Sequence, residues 1–230
     1  SRREALVNHY KVKVLPKLLD LEGKQLPLED VFPHEPAALE LQALYITENP
    51  NPVGQKDLLV DHKVANPYTI AHAKYHPWLR NLMLKLNHYD IMLVDGETGD
   101  MIYSVVKEND FGTNHIKGTI AKTHHGKHVR DIIEQHKRGG VKMTDYDTYI
   151  GSFNQPHAFM AVPIFADQEF LGIMVAQIST DGINKFIHNG RHWKNSGLGE
   201  TGSAYLASID DRLMRSDTRE IFEDPEKYFK

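Results

Sequence analysis

The sequence predicts an α+β fold, an antiparallel sheet of about five strands carried on a long N-terminal helical stalk. Three features point there. Apolar residues recur at helical spacing through the first third of the chain, the period then shortens to that of strands, and one amphipathic segment interrupts the strands.

Leu6, Val7, Tyr10, Val14, Leu18 and Leu19 form one helical stripe, and Leu39, Leu41, Leu44 and Tyr45 a second. Pro16, Pro27, Pro33 and Pro36 punctuate them, and Glu48 to Gly54, with two Asn-Pro pairs, is a loop. A helix resumes near Tyr68, with Trp78, Leu79, Leu82, Met83 and Leu86 on one face and Pro77 read as a first-turn residue. Tyr89 to Val94 and Met101 to Val106 flank a Gly-containing turn at 95–100 and predict a hairpin. A crossing helix follows over Lys122 to His136, using Val129, Ile132 and Ile133 and ending before Gly139-Gly140. Strands are then expected over Val141 to Tyr149, Ala158 to Phe165 and Phe170 to Ile178, with a turn at 166–169. Ser179-Thr180 is a helix cap for Gly182 to Ile187, and Ser203 to Ile209 reads as the start of another strand. Residues 1–87 are thus expected as a helical stalk, 88–190 as a sheet module, and 197–230 as the truncated beginning of a second module.

Composition narrows the function classes. The 230 residues are 40% hydrophobic and 25% charged, the balance of an ordinary globular chain. The 27 basic and 31 acidic residues are interleaved, with a net charge of -4 and no basic stripe for nucleic acid. Cysteine is absent, which removes disulfides, thiolate nucleophiles and thiolate metal sites. No run of about 20 apolar residues is present to span a bilayer, and Ser1 to Glu4 lacks the apolar core of a signal peptide, so the chain is expected to be soluble as given or to have been cut to be so.

Enzyme signatures are sparse. There is no phosphate-binding Gly-rich loop and no Gly-x-Ser-x-Gly elbow, and Gly197-x-Gly199-x-x-Gly202 precedes an expected strand rather than a helix. Asp145-x-Asp147 and Asp210-Asp211 suit turns as well as acid/base work. Among 14 histidines, His124, His125 and His128 cluster, with His124 and His128 able to share one helical face. The pair His72 and His76 is weaker, because Pro77 disfavours helical geometry at residue 76. No cofactor and no metal is expected.

The run Gly197-Leu198-Gly199-Glu200-Thr201-Gly202-Ser203-Ala204-Tyr205-Leu206, followed by Leu213 to Asp217, resembles the entry into the membrane-proximal module of double Cache (PAS-like) sensor domains. Tyr75 to Arg80, Tyr89 to Asp95 and Tyr103 to Phe111 match the same family, found on bacterial chemoreceptors, sensor kinases and membrane cyclases. The resemblance covers nearly the whole chain. It implies a non-enzymatic, extracytoplasmic ligand-binding domain on the periplasmic or outer face of the bacterial inner membrane, within a membrane-anchored signal-transduction receptor, most readily of the chemotaxis type. The membrane-distal module would occupy 88–190 and the membrane-proximal one begin at 197–230. A homodimer is compatible with such a stalk.

Amino-acid sensors of that family carry an aromatic motif on the crossing segment and an Asp in the last strand. Here residues 122–140 hold no aromatic, and Gln177 stands where the amine-binding Asp is expected. The resemblance therefore implies a small carboxylate or other small polar metabolite as ligand. Lys107 would supply the cation, Tyr146 and Tyr149 hydroxyls within a partial Tyr-x-Asp region that includes Asp147, Gln177 a bidentate amide, and Phe111 and Phe159 apolar walls. Each has an ordinary alternative: strand Tyr and Phe pack cores, Lys107 would sit in solvent, and Gln177 would satisfy backbone groups. Two rival functions stand beside the sensor. One is a metal-dependent hydrolase built on the histidine cluster; the other is a dimerisation module of the helical stalk that binds no ligand.

Overall fold

The computed structural model describes residues 1–18, 24–135, 138–212 and 214–228. It divides into two compact units, Ser1–Ile178 and Ser179–Lys230. Among the described residues no helix is long and apolar enough to cross a membrane.

In the first unit, helix α1 (Arg2–His9) opens with a capping box between Ser1 and Glu4 and runs into a wider π turn over Tyr10–Val14. Leu6, Tyr10, Val14 and Leu18 are buried against Phe32, as their helical spacing requires; Leu19 lies outside the described residues. Short α2 (Leu28–Val31) leads to α3 (Pro36–Gln42), which starts on a proline and continues as a π turn through Ala43–Thr47. Gln42 is wholly buried and ties these pieces to the rest: its amide donates to Asn109 O at 3.0 Å and Phe111 O at 2.8 Å, and its Oε1 accepts from Tyr10 at 2.8 Å. The Tyr10 hydroxyl also reaches Asn109 O at 2.9 Å.

Helix α4 spans Pro67–Leu86, capped by Asn66 and ended by Asn87 in the left-handed region. Pro67 is the first-turn proline; Pro77 lies mid-helix instead, correcting the sequence expectation. An internal proline costs about 3 kcal/mol, and burial of His72, His76, Leu79 and Met83 on both sides of it offsets that strain. His72 and His76 stack at 4.4 Å. Tyr103 donates to His76 Nδ1 at 2.6 Å while His76 Nε2–H donates to Asp57 O at 2.7 Å, which fixes the tautomer.

The sheet has six strands: β1 (Asp90–Asp95), β2 (Met101–Ser104), β3 (Lys142–Met143), β4 (Asp147–Tyr149), β5 (Gln155–Ala166) and β6 (Glu169–Ser179). Their order is β2-β1-β6-β5-β3, with β4 also on β5. β1 pairs β6 antiparallel with Asp90 opposite Gln177, and β2 with a bulge that places Val94 opposite Met101 and Leu93 opposite Tyr103. The bulge turns Met101 and Tyr103 to different faces. On one face Met92, Val94, Met101, Ile173 and Val175 pack with Phe111, the Leu44–Ile46 turn and α5 (His124–Gln135), whose Val129 and Ile132 are buried as expected; residue 136 lies outside the described residues. On the other, Ile91, Tyr103 and Val105 pack with Leu79 and Met83 of α4. The single strand expected over 141–149 is two short pieces, because Thr144 breaks out of line to bond Phe159 through both its amide and its hydroxyl. β5 and β6 join through Asp167-Gln168, where Asp167 adopts φ 50, a two-residue hairpin connection.

In the second unit α6 (Thr180–Ile187) follows Ser179 in extended conformation. Asn184 and Asp217 hold each other, side chain to side chain at 2.8 Å and Asp217 N to Asn184 Oδ1 at 2.9 Å. The strand expected at 203–209 does not form; one bridge joins Ala207 and Met214, and two short helices, α7 (Arg219–Glu223) and α8 (Pro225–Tyr228), follow.

Replacing Gln42 with Ala takes the amide donor from Phe111 O in the core and leaves the Tyr10 hydroxyl as the partner of Asn109 O. We expect a loss of about 1–3 kcal/mol in urea unfolding. A loss below the error of the midpoint would show that water substitutes for the amide.

Candidate functional site

β2 ends where a buried carboxylate captures the next amides. Asp90 Oδ1 accepts from Val105 N at 2.9 Å and Val106 N at 3.1 Å, and Oδ2 from Ser104 Oγ at 2.6 Å. Ser104 Oγ in turn accepts from Lys107 N at 2.7 Å. The strand expected to reach Val106 therefore stops at Ser104. The chain turns through Lys107 at φ 60 into Glu108, Asn109 and Asp110, of which Asn109 and Asp110 are buried and Glu108 is half-buried.

Two branches leave this turn. Glu108 accepts from Tyr89 at 2.7 Å and from Ser152 at 2.5 Å, and Ser152 Oγ accepts from Gln177 Nε2 at 2.7 Å. Asp110 accepts from Tyr149 at 2.6 Å. The Tyr149 ring packs edge-on to Phe159 at 4.8 Å, and His125 stacks on Phe159 at 4.3 Å while its Nε2 meets His115 Nδ1 at 2.7 Å. Gly151 makes the crowding possible: a Cβ there would lie 2.3 Å from the Tyr149 ring and 2.7 Å from Asp110 Oδ2.

The network holds more acceptors than donors. Gln177 Oε1 and Asn109 Oδ1 are buried without a hydrogen-bond partner. Burial pushes Asp90 up to about 7, Glu108 to about 8 and Asp110 to about 6, each against the pull of its hydrogen bonds. A cleft of about 1100 Å³ opens onto it, with Asn109, Asp110, Gly112, Thr113, Ile120 and Ile150 among its lining residues. That exceeds the size range of ordinary ligand pockets, roughly 300–1,000 Å³.

Of the residues singled out from sequence, Tyr149, Phe159 and Gln177 meet in this network, and Phe111 is buried behind it against Tyr45. Lys107 sits at the turn, but its ammonium donates to Val105 O at 2.9 Å and is 2% exposed, so the expectation of a solvent lysine is corrected. Tyr146 is buried beside β4, whereas Asp147 is 47% exposed and faces His124 at 3.4 Å. The histidine cluster does not converge: His124 is exposed, His125 is buried with its nitrogens off the surface, and no group of three metal-ligating side chains occurs among the described residues. Sequence reasoning missed Asp90, Glu108, Asp110 and Ser152. The run Lys107 to Asp110 reads as a solvated charged loop, and only its position directly after an apolar strand hints otherwise.

No protein-family model matches the chain, and no curated protein matches it. Solved structures do. The matches are to sensor domains. The ligand-binding domain of Campylobacter jejuni chemoreceptor Tlp3, in complex with 4-methylisoleucine, aligns over 61% of this chain and 48% of its own, at 11% identity and TM-score 0.41. The V. cholerae histidine kinase DctB sensor domain aligns over 94% and 68%, at 16% and 0.45. The Pseudomonas fluorescens chemoreceptor CtaA domain with L-isoleucine aligns over 69% and 53%, at 12% and 0.41. The aligned part of this chain thus spans about half to two thirds of these domains, and the likeness is one of fold.

Two pH experiments follow. The Glu108 carboxyl keeps its proton to about 8 when folded against an ordinary 4.5, so the stability that proton contributes is full below the ordinary value and lost as pH rises towards 8. Glu108→Gln should therefore gain on the unaltered chain by at most about 1.4 kcal/mol per pH unit over that window; a pH-independent difference in urea midpoint would show a carboxylate ionised throughout. Burial holds His125 well below its ordinary 6.5, so its contribution is present above that value and lost on acidification. His125→Phe should flatten the acid side of the stability profile. An unchanged slope would mean that the ring is charged in the folded chain.

Proposed function

We propose that this chain is the ligand-sensing domain of a membrane-anchored bacterial receptor, lying outside the cytoplasm and binding a small polar metabolite without transforming it. The observation that carries the reading is a cleft whose floor includes Asp110 and Asn109, leading to a buried set of polar groups in which Asn109 Oδ1 and Gln177 Oε1 lack partners. Concave sites with a few convergent polar groups are the usual seats of small ligands. The Cache resemblance of the sequence supports it, with a distal module at 88–190 and residues 197–230 as the beginning of a proximal one.

The ligand chemistry follows from the acceptors. Three buried carboxyl groups, Asp90, Glu108 and Asp110, gather here, so a simple carboxylate would meet like charge and is a weaker fit than the sequence implies. A metabolite presenting N–H or ammonium donors satisfies Gln177 Oε1 and Asn109 Oδ1 and allows Asp110 to ionise. Tyr149 and Phe159 supply the apolar wall, Ser152 and Glu108 the second tier of hydrogen bonds, and Lys107, Tyr146, Asp147 and Phe111 shape the surroundings. Because Gln42 and Tyr10 bond the backbone of Asn109, a ligand that shifts Asn109 also shifts the N-terminal helices, a route for signalling through populations of helix position.

A second reading, pairing of two copies through the helical leader, is favoured by the exposed apolar side chains of α4: Ile70 at 65%, Trp78 at 60% and Tyr75 at 52%.

A thermal-shift screen over amines, amino acids and small carboxylates tests the proposal. A ligand at 100 times its Kd should stabilise by about 2.7 kcal/mol, a shift of a few degrees, and Gln177→Leu should abolish it in a chain that still folds. If no class moves the transition, the sensor reading fails. If the variant keeps the shift, the ligand sits elsewhere.

A further inference from the structure

The cleft of about 1100 Å³ has two walls from segments far apart in sequence. One is the run from α2 to the start of α3, residues 29–38, and the other is drawn from residues 97–122, the β1–β2 turn and the loop before α5. The walls are tied at two points. Thr119 Oγ1 donates to Asp30 O, and Gly112, at φ 78, lies so close to α3 that a Cβ there would come 3.1 Å from Ala38 Cα. One bounded space therefore lies between them.

The charge around that space is one-sided. Among the described residues six acids line it, Glu29, Asp30, Glu35, Glu97, Asp100 and Asp110, against two lysines, Lys117 and Lys122. The excess equals the net charge of -4 of the entire chain, so the remainder of the sequence is electrically balanced. Glu29, Asp30, Glu35 and Glu97 are exposed and make no ion pair among the described residues. The floor carries a second, independent signal. Asn109 is 7% exposed; its Nδ2 donates to Ile150 O, another lining residue, at 3.1 Å, while Oδ1 of the same amide is buried without a donor. Phe32, Ile116, Ile120 and Ile150 add apolar surface to the same walls.

An unfilled acceptor inside, unpaired carboxylates outside and apolar surface on the same walls match positive charges spaced by methylenes. We propose that the cleft binds a linear aliphatic polyamine, one ammonium at Asn109 Oδ1 and Asp110 on the floor and the others among the carboxylates of the mouth. The proposal rests on the sensor reading above and names the ligand class of that site. A monoamine meets only one end of this arrangement, and an anion meets like charge. A bare divalent cation fits poorly, because no group of three metal-ligating side chains occurs among the described residues. The volume, above that of an ordinary small-ligand pocket, accommodates a chain of several amines with bridging water.

The test is calorimetric titration of the whole chain with spermidine as the triamine probe, butylamine as the monoamine and magnesium chloride as a compact dication. Spermidine should bind about tenfold or more tightly than butylamine, since each added ammonium gains further carboxylate partners. The double variant Glu35→Gln/Glu97→Gln removes one exposed carboxylate from each wall and should weaken spermidine roughly three- to tenfold. It should leave butylamine unchanged, and Glu134→Gln, on the exposed side of α5, should alter neither. Equal affinity for the two amines, an unaltered spermidine affinity in the double variant, or displacement by magnesium at equal charge overturns the polyamine while the sensor reading stands. Should neither amine bind, and no carboxylate or amino acid move the thermal transition, the sensor reading falls with it.

Discussion

The two oxygens of Asp90 hold the chain where strand geometry gives way to the site. They stop the β2 ladder by taking the amides of Val105 and Val106, and through Ser104 they take the amide of Lys107 as well. A carboxylate that collects this many donors beneath a sheet is costly to bury and hard to replace, since every donor it satisfies would otherwise be stranded. Everything on the following turn inherits its direction from that anchor. Glu108 and Asp110 face the network, Asn109 offers its carbonyl to Gln42 and Tyr10, and Lys107 is folded back under the rings of Tyr45 and Tyr103.

The same anchor sets the electrostatic character of the interior. Three buried acids so close together cannot all be ionised at low cost, so protons are part of the resting structure. Asp90 lies directly across the ladder from Gln177, so the last strand and the turn after β2 bear on one set of hydrogen bonds although they are some 70 residues apart in sequence. Its parts are tightly interlocked: Ser152 serves Glu108 and Gln177 at once, and Gly151 beside it leaves no room for a side chain.

Much of the first unit was legible. Strands β1, β2, β5 and β6, helix α5 and the stripe Leu6, Tyr10, Val14, Leu18 follow from periodicity, which is a local property. What escaped depends on partners distant in the chain. Ser203 to Ile209 alternates like a strand, but with only one bridge to pair with, its Tyr205 and Ile209 stay exposed. Pro77 argues for a helix start on local grounds, and burial of the flanking histidines overrules it. In the site, Tyr149, Phe159 and Gln177 were reachable from strand position, whereas Glu108 and Asp110 look like solvent charges until Asp90 is known to pull their turn inward.

Pro77 also bears on how α4 transmits force. Its ring nitrogen has no hydrogen to offer the carbonyl of Ala73, so the helical ladder is interrupted at the level of the His72–His76 stack. The C-terminal part of the helix rests on the sheet through Leu79 and Met83, and Tyr103 and the Asp57 carbonyl hold the His76 ring beside the missing bond. A displacement of β2 at Tyr103 would therefore reach α4 at a turn whose hydrogen-bond ladder is already one bond short.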